Sequence, residues 1–286
     1  MNSNLTTQCR ELAIAVSQSA GELLRAYFVD LSKAGAESKQ SASGYQGMVT
    51  KADLESEQLI VEAIKASFPD HQFLAEETLA QETQSAVQVD RWAREQEHLW
   101  IIDPLDGTNN FAHGISHYAV SIAYYQRGVP KVGVVTRPES NELFWAEAGQ
   151  GAFAERDGVT RQAKVSQHQS LDECMVGVGF YYDRGDMMRS TLAAIERLFQ
   201  QQIHGIRRMG TAALDIVQVA TGSFGAFFEY ELSPWDFAAA RLFLEEAGGV
   251  VTTCNGEPLP LNKSSLLATN GHLHEQMLSQ VKRSLA

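Results

Sequence analysis

The chain has 286 residues, 44% of them apolar, and its 35 acidic and 23 basic residues leave a formal net charge of −12. This length allows a large buried core, and an acidic chain without a basic block is not typical of a general nucleic-acid-binding protein. Cys9, Cys174 and Cys254 are too few and too scattered for a disulfide framework or a zinc site, so we expect a reducing, cytoplasmic location. Neither a signal-peptide pattern nor a run of about 18 apolar residues is present, which predicts a protein that does not enter the membrane.

Apolar periodicity in the first half predicts two amphipathic helices followed by an antiparallel meander. The helices are expected over 5–28 and 52–66, and the strands over 72–75, 99–102, 117–126, 131–137 and 142–147. Residues 32–47 are small, polar and rich in Gly and Ser, and are expected to form either a lid over a site or a plain surface loop. Residues 79–98 are polar and acidic and are expected to be an exposed excursion between two strands.

The second half alternates strand and helix, which favours an α/β arrangement. Strands are expected near 174–179, 203–207 and 225–229, and helices near 186–199, 211–221 and after Asp236. We therefore expect one compact unit over 1–286, with an α+β half with an antiparallel sheet over 1–155 and an α/β half over 156–286.

Residues 100–114, WIIDPLDGTNNFAHG, are the most informative segment for function. Trp100 to Ile102 have the character of a buried strand, which should end where Pro104 removes a backbone donor and Gly107 permits an unusual dihedral. The expected turn over 103–108 projects Asp103 and Asp106 into one small volume, where two carboxylates resist ionisation unless a cation compensates them.

The ligand chemistry of this turn favours magnesium, because the donors are oxygens and no Cys is near. If a helix begins after Gly107, the N–H groups of Gly107, Thr108 and Asn109 are placed to face an anion, so metal and amides together suit a phosphate. The alternative is an Asp-rich turn that merely caps a helix.

Two other acidic segments favour the metal interpretation. FLAEET over 73–78 ends an apolar run in Glu76 and Glu77, and SPWDFAAARLFLEEAGG over 233–249 places Asp236 in the first turn of a helix. For Asp236 the alternative is a favourable interaction with the helix dipole. Glu245 and Glu246 are expected on a solvated helix face.

Together the three segments resemble the inositol monophosphatase family of magnesium-dependent, lithium-sensitive phosphatases, over nearly the whole chain. The family pattern DPxDGTxNF matches residues 103–111, its WDxAAG and EAGG patterns match 235–240 and 246–249, and its GEE matches 75–77. Ala75 and Ala240 stand where the family usually has Gly, and either would cost about 1 kcal/mol if its backbone had a positive φ.

The resemblance implies the layered α-β-α-β-α sandwich of the sugar phosphatases (inositol monophosphatase and fructose-1,6-bisphosphatase) and two or three Mg²⁺ ions. Glu76, Asp103 and the Leu105 carbonyl would hold the first ion, Asp103, Asp106 and Asp236 the second, and Glu76 with waters a third. Asp53 matches the aspartate that orients the water shell of the third ion. Thr108, with Glu76 and Asp53, would position the attacking water.

The implied reaction is direct hydrolysis of a phosphate monoester by metal-activated water, without a phosphoenzyme. Substrate contacts carried over from the family are Asp106, Gly107, Thr108, Asn109, Gly210, Thr211, Ala212, Glu229 and Asp236. For Glu229 the alternative is an exposed loop acid. The tyrosine pair Tyr181 and Tyr182 is expected to narrow or line the mouth of the site. Arg207 and Arg208 either attract an anionic substrate or form ion pairs at a subunit contact.

The leading prediction is therefore hydrolysis of inositol-1-phosphate, a small phosphorylated polyol, by a protein that the resemblance implies is a homodimer. The same chemistry on histidinol phosphate, 3′-phosphoadenosine 5′-phosphate or fructose-1,6-bisphosphate is the first alternative. An alternative of another class is a regulatory, partner-binding protein with incidental phosphatase activity.

Overall fold

The computed structural model describes residues 2–35, 37–41, 44–79 and 86–282. In these residues the helices are α1 (Asn2–Val29), α2 (Lys51–Ser67), α3 (Glu76–Leu79), α4 (Ala86–Glu95), α5 (Thr108–Ala112), α6 (Asp186–Gln200), α7 (Ala212–Ala220), α8 (Pro234–Glu246) and α9 (His274–Val281). The strands are β1 (Glu37–Ser41), β2 (Gly44–Val49), β3 (Gln72–Ala75), β4 (Leu99–Asp106), β5 (Ala119–Gln126), β6 (Val129–Arg137), β7 (Glu142–Glu147), β8 (Gly151–Arg156), β9 (Val159–Gln162), β10 (Met175–Val178), β11 (Gly205–Arg207), β12 (Ala226–Leu232), β13 (Val250–Thr252) and β14 (Ser264–Thr269).

The first sheet has seven strands in the order β3-β4-β5-β6-β7-β8-β9. Its strands pair antiparallel from β4 to β9, and β3 pairs parallel with β4. Every residue of β4 and nearly every residue of β5 is buried, because helices cover both faces of the sheet. The continuous apolar sequence of these central strands is the expected result of burial on two sides.

The second sheet has five strands in the order β11-β10-β12-β14-β13. Strand β10 pairs parallel with both β11 and β12, whereas β14 pairs antiparallel with β12 and β13. The parallel pairs are joined through α6 and α7, which is the crossover that parallel strands require. This confirms the alternation of strand and helix expected for the second half.

The elements stack in five layers, which confirms the predicted α-β-α-β-α order. Helices α1 and α2 pack on one face of the first sheet, α7 and α8 lie between the two sheets, and α6 and α9 cover the far face of the second sheet. Three apolar clusters fill the spaces between the layers. The central cluster contains most of α7 and α8, so it fixes these helices relative to both sheets.

Several elements differ from the sequence prediction. In residues 32–47, expected as a lid or a plain surface loop, residues 37–41 and 44–47 belong to β1 and β2, an antiparallel ladder that continues to Val49. In the excursion expected over 79–98, α4 forms, and residues 80–85 lie outside the described residues. The prediction also missed β8, β9, β13, β14 and α9. For β9 the reason is that a short, wholly exposed strand carries no alternating pattern.

Strand β8 spans the expected boundary between residues 155 and 156, and β9 also belongs to the first sheet. The passage from the first sheet to the second therefore falls between Gln162 and Met175, and the division of the chain into halves stays a prediction. In the described part of the chain, no helix is long and apolar enough to cross a membrane.

Candidate active site

Strand β4 and the turn after it build the centre of the site. The strand was expected to stop at Ile102 but continues to Asp106, with its pairing to β5 interrupted between Asp103 and Asp106. Pro104 lies in this interruption, where its missing N–H costs no ladder hydrogen bond. Gly107 has φ +94° and caps α5, and a Cβ there would stand 2.6 Å from the Thr211 hydroxyl. The unusual dihedral predicted at Gly107 is confirmed.

Asp103 and Asp106 are buried, and each has one oxygen fixed by a backbone N–H. Leu105 N donates to Asp103 Oδ1 at 3.0 Å, and Ala213 N, in the first turn of α7, donates to Asp106 Oδ2 at 2.8 Å. The exposed fractions of the two residues are 1% and 7%. Both carboxyl groups are therefore held in place and largely removed from water.

Glu76 enters the site from the junction of β3 and α3. The first turn of α3 is anchored by Glu57 of α2, which accepts from Glu77 N at 2.8 Å, Thr78 N at 2.9 Å and the Thr78 hydroxyl at 2.5 Å. Glu57 is a buried acid that the sequence analysis missed. It lies four residues after Asp53, on the helix face that continues with Ile60 and Ile64, and this spacing is a usable sequence signal.

Asp236 lies in the first turn of α8, as predicted. It completes a capping box in which its Oδ2 accepts from Ser233 N at 2.6 Å. The interaction with the helix N-terminus that we weighed as the alternative is therefore present, and the position also brings Asp236 close to Asp103 and Asp106, whose pKa values it raises.

The pKa values of Asp103 and Asp106 indicate whether a cation fits among the carboxylates of the site. Burial first, and then the charges of Glu76, Asp106 and Asp236, raise the pKa of Asp103 well above its usual range. Burial and the charges of Asp236, Asp215 and Glu76 do the same for Asp106. The side-chain charges that act most strongly on the pair are thus other carboxylates.

The donor set consists of carboxylate and carbonyl oxygens, the chemistry that suits a hard divalent cation. Within the described ranges, no three or more His, Cys, Asp or Glu side chains are grouped closely enough to hold a metal ion as they stand. The carboxylates nevertheless raise one another's pKa values, and the fit to magnesium depends on their charge and oxygen chemistry.

Asp53 and Thr108 are joined directly. The Thr108 hydroxyl lies 3.0 Å from Asp53 Oδ1 and 3.0 Å from the carbonyl oxygen of Leu105, and Asp53 Oδ2 accepts from the backbone N–H of Thr50 at 2.7 Å. Ser56, one turn along α2, donates to the Pro104 carbonyl at 2.9 Å. Helix α2 and the β4 turn are therefore connected at two points, which positions Asp53 beside the carboxylates.

The expected substrate segment lies against the same turn. Asn110 Nδ2 donates to the carbonyls of His117 and Met209, at 2.8 and 2.9 Å, and the buried Thr211 hydroxyl donates to the His117 carbonyl at 2.9 Å. The Thr211 hydroxyl is thus used to fix the segment. Gly210 has φ +86°, and Ala212 begins α7 beside the N–H that holds Asp106.

The tyrosine pair, Tyr181 and Tyr182, lies beside the DGT turn of β4. Asn109 Nδ2 donates to the Tyr182 hydroxyl at 3.2 Å, and the Tyr181 and Tyr182 rings are 5.5 Å apart. Lys263 Nζ lies 3.1 Å from the Tyr181 hydroxyl. The pair is therefore linked to the DGT motif on one side and to the segment before β14 on the other.

Glu229 is buried on β12, so the alternative of an exposed loop acid is wrong. Burial and the charges of Asp236, Asp215 and Asp106 raise its pKa well above the usual range, whereas Arg208 acts in the opposite direction. Arg207 donates to the carbonyl of its neighbour Ile206. Within the part of the chain that the structure describes, neither arginine forms an ion pair with a carboxylate, and a subunit contact stays a prediction.

Three smaller expectations are settled by the backbone and contacts. Ala75 and Ala240 do not have positive φ, so the strain considered for them does not arise. Glu245 pairs with Arg241 at 2.9 Å. Glu246 accepts from the N–H groups of Gly149 and Gly151, at 2.7 and 2.8 Å, so it joins α8 to the β7–β8 turn rather than lying on a purely solvated face.

Comparison with known proteins places this geometry in context. The model of the inositol monophosphatase family matches residues 6–286. A Pseudomonas aeruginosa protein named Nus factor SuhB is 34% identical over 96% of this chain and 96% of its own. A Thermotoga maritima protein named fructose-1,6-bisphosphatase/inositol-1-monophosphatase is 34% identical over 85% of each chain.

Solved structures give the same result for the fold. An inositol monophosphatase from Anabaena (Nostoc) sp. superposes with a TM-score of 0.78 at 35% identity, covering 97% of this chain and 96% of that one. A structure described as an IMPase/NADP phosphatase complexed with NADP and Ca²⁺ superposes with a TM-score of 0.81 at 26% identity, covering 98% and 97%. The layered fold is thus shared with these proteins.

Proposed function

This chain belongs to the inositol monophosphatase family, a family of metal-dependent phosphatases, and from that premise we propose that it hydrolyses inositol-1-phosphate to inositol and phosphate with Mg²⁺. The observation that carries the proposal is the pair Asp103 and Asp106, which is buried, fixed by backbone N–H groups and surrounded by further carboxylates that raise its pKa values. Such a pair is stable in its ionised form only beside a cation.

The ligands in this proposal are Glu76, Asp103, Asp106, Asp236 and the Leu105 carbonyl. Bound magnesium would lower the pKa of the attacking water and neutralise charge on the phosphate and the departing alkoxide. Glu57 supports Glu76 by anchoring α3, and Ala213 N supports Asp106. The chain thus provides both the ligands and the groups that orient them.

Thr108 and Asp53 are proposed to orient the attacking water and accept its proton. A hydroxyl has one hydrogen, so Thr108 can donate to Asp53 or to the Leu105 carbonyl but not to both, although each oxygen is 3.0 Å away. The Thr108 hydroxyl can therefore turn from one acceptor to the other when the attacking water loses a proton to Asp53. The backbone N–H groups of Thr108 and Asn109 lie in the first turn of α5 and are proposed to bind phosphate oxygens.

Glu229 supports a polyol as the alcohol that is released. A buried carboxyl beside Asp236 accepts hydrogen bonds from hydroxyls well, and the other contacts expected on this side, at Gly210 and Ala212, are small. These features favour inositol-1-phosphate over a nucleotide, which would need a stacking surface for its base.

Phosphate release from a panel of esters tests the proposal. The panel is inositol-1-phosphate, histidinol phosphate, 3′-phosphoadenosine 5′-phosphate and fructose-1,6-bisphosphate, each with and without magnesium and then with lithium. We expect magnesium-dependent, lithium-inhibited turnover with inositol-1-phosphate preferred. Preference for another ester would keep the chemistry and replace the substrate, whereas no turnover on any ester would contradict the proposal.

A second candidate function is favoured by the relative named Nus factor SuhB, which matches along nearly its whole length. On this proposal the chain also binds a protein partner, and phosphatase activity is incidental. Full complementation of a deletion strain by a catalytically inactive variant would favour this second function, and failure of that variant would favour the enzyme.

A further inference from the structure

Asp215 is a buried acid beside the site for which neither the sequence motifs nor the proposed reaction provides a role. It lies on α7, two residues after Ala213, whose N–H holds Asp106. Its exposed fraction is 1%, and among the described residues its Oδ1 has no hydrogen-bond partner. A buried carboxyl oxygen without a partner costs free energy, so its retention needs a cause.

The surroundings of Asp215 point toward the side of the site that receives the released alcohol. Asp215 lies three residues after Ala212, on the same side of α7 as that expected substrate contact, and its charge raises the pKa values of Asp106 and Glu229. The charge of Arg208 opposes the effect of burial on Asp215, but Arg208 is exposed. A ligand hydroxyl is therefore a suitable donor for the carboxyl group.

We propose that Asp215 is a specificity-determining residue that accepts a hydrogen bond from a leaving-group hydroxyl, directly or through one bound water, next to the hydroxyl accepted by Glu229. Two adjacent acceptors select an alcohol with at least two hydroxyl groups. When an alcohol without these hydroxyls binds, both carboxyl groups stay buried without a hydrogen-bond donor. A polar site discriminates strongly against a ligand that leaves its buried groups in this state. This inference rests on the proposed phosphatase function.

The test compares inositol-1-phosphate with cyclohexyl phosphate, which has the same ring and no hydroxyls. The measured quantity is the ratio of their kcat/KM values in the wild type and in Asp215→Leu, which keeps the side-chain size and removes the polar atoms. We expect this ratio to fall about tenfold or more, chiefly through KM for inositol-1-phosphate. Asp215→Asn retains one acceptor oxygen, so we expect a smaller fall in this ratio. It serves as the measured variant if Asp215→Leu does not fold.

Gln218→Leu is the matched control, because Gln218 lies on the same helix and is only partly buried. We expect its ratio to equal that of the wild type. An unchanged ratio in the folded Asp215 variants, or equal losses on both esters, would overturn the inference while leaving the phosphatase intact. A wild type that hydrolyses neither ester with magnesium would overturn the proposed function and this inference together.

Discussion

The Thr108 hydroxyl is the point where α2 meets the DGT turn. It lies at hydrogen-bond distance from both Asp53 and the Leu105 carbonyl, so it is close at once to a base and to a proposed metal ligand. Because α5 begins at Thr108, its backbone N–H is also placed for an anion. A substitution that removes only the hydroxyl therefore tests its role in activating water, while the backbone N–H that faces the phosphate is kept.

Thr108→Val fills a similar volume without the hydroxyl. We expect kcat for inositol-1-phosphate to fall by about 100-fold or more, while the magnesium concentration for half-maximal activity changes little, because no carboxylate ligand is lost. Steady-state kinetics at several magnesium concentrations measure both quantities. Thr160→Val, on the exposed strand β9, is the control. A kcat within threefold of the wild type would remove Thr108 from the mechanism.

At the scale of elements, α2 positions two parts of the site. Asp53 contacts the DGT turn, and one helical turn later Glu57 holds the first N–H groups of α3, so the position of Glu76 depends on α2. Glu57 is buried and accepts three hydrogen bonds with its two oxygens. An amide there would turn an NH₂ group toward N–H donors.

Glu57→Gln is expected to weaken magnesium binding through Glu76. We expect the magnesium concentration for half-maximal activity to rise about three- to tenfold, and the free energy of unfolding to fall by about 1–3 kcal/mol. Magnesium-dependent kinetics and urea unfolding measure the two effects. Glu62→Gln, an exposed acid on the same helix, is the control. No change in magnesium dependence would show that α3 holds its position without Glu57.

The sequence predicted these elements unevenly, and the reasons are physical. The strands that end at Ala75 and pass through Asp103 have strong apolar patterns because they are buried, and the DGT motif marked the end of the second strand, while the WD motif placed Asp236 in the first turn of a helix. Asp215 was missed because a lone acid in a helix gives no sign of burial, and Glu57 because it is one of four acids on α2, set apart only by its spacing from Asp53. Strand β9 was missed because it is wholly exposed.

At the scale of the whole molecule, buried histidines link stability to pH. His71 accepts from Trp100 Nε1 at 2.9 Å and stacks on His98, and burial followed by the charge of His98 lowers its pKa to about 4. Burial and Arg137 lower the pKa of His117 to about 4. The unfolded chain binds these protons near pH 6.5, so the stability these residues contribute is complete above about 6.5 and is lost as pH falls toward 4.

The buried site carboxyls act with the opposite sign. Their raised pKa values favour the folded state at low pH, and that contribution is lost as pH rises. A variant is therefore needed to isolate the histidine contribution. His71→Gln keeps an acceptor for Trp100 and does not titrate.

We expect His71→Gln to reduce the loss of stability between pH 7 and pH 5 by about 1–3 kcal/mol relative to the wild type. Urea unfolding at four values of pH across this range, with the wild type alongside, measures the difference. Parallel pH profiles of the wild type and the variant would contradict the assignment of this proton linkage to His71.

The central claim is that buried carboxylates on β4 hold the magnesium for phosphate hydrolysis, and a magnesium titration of Asp106→Asn tests it most directly. Asparagine keeps the volume and one oxygen but removes a ligand charge. With inositol-1-phosphate as substrate, we expect at least about a 100-fold loss of turnover that added magnesium does not restore, with the fold intact by circular dichroism. Asp70→Asn, an exposed acid, should behave as the wild type. Magnesium-independent turnover, or near-normal activity of Asp106→Asn, would contradict the claim.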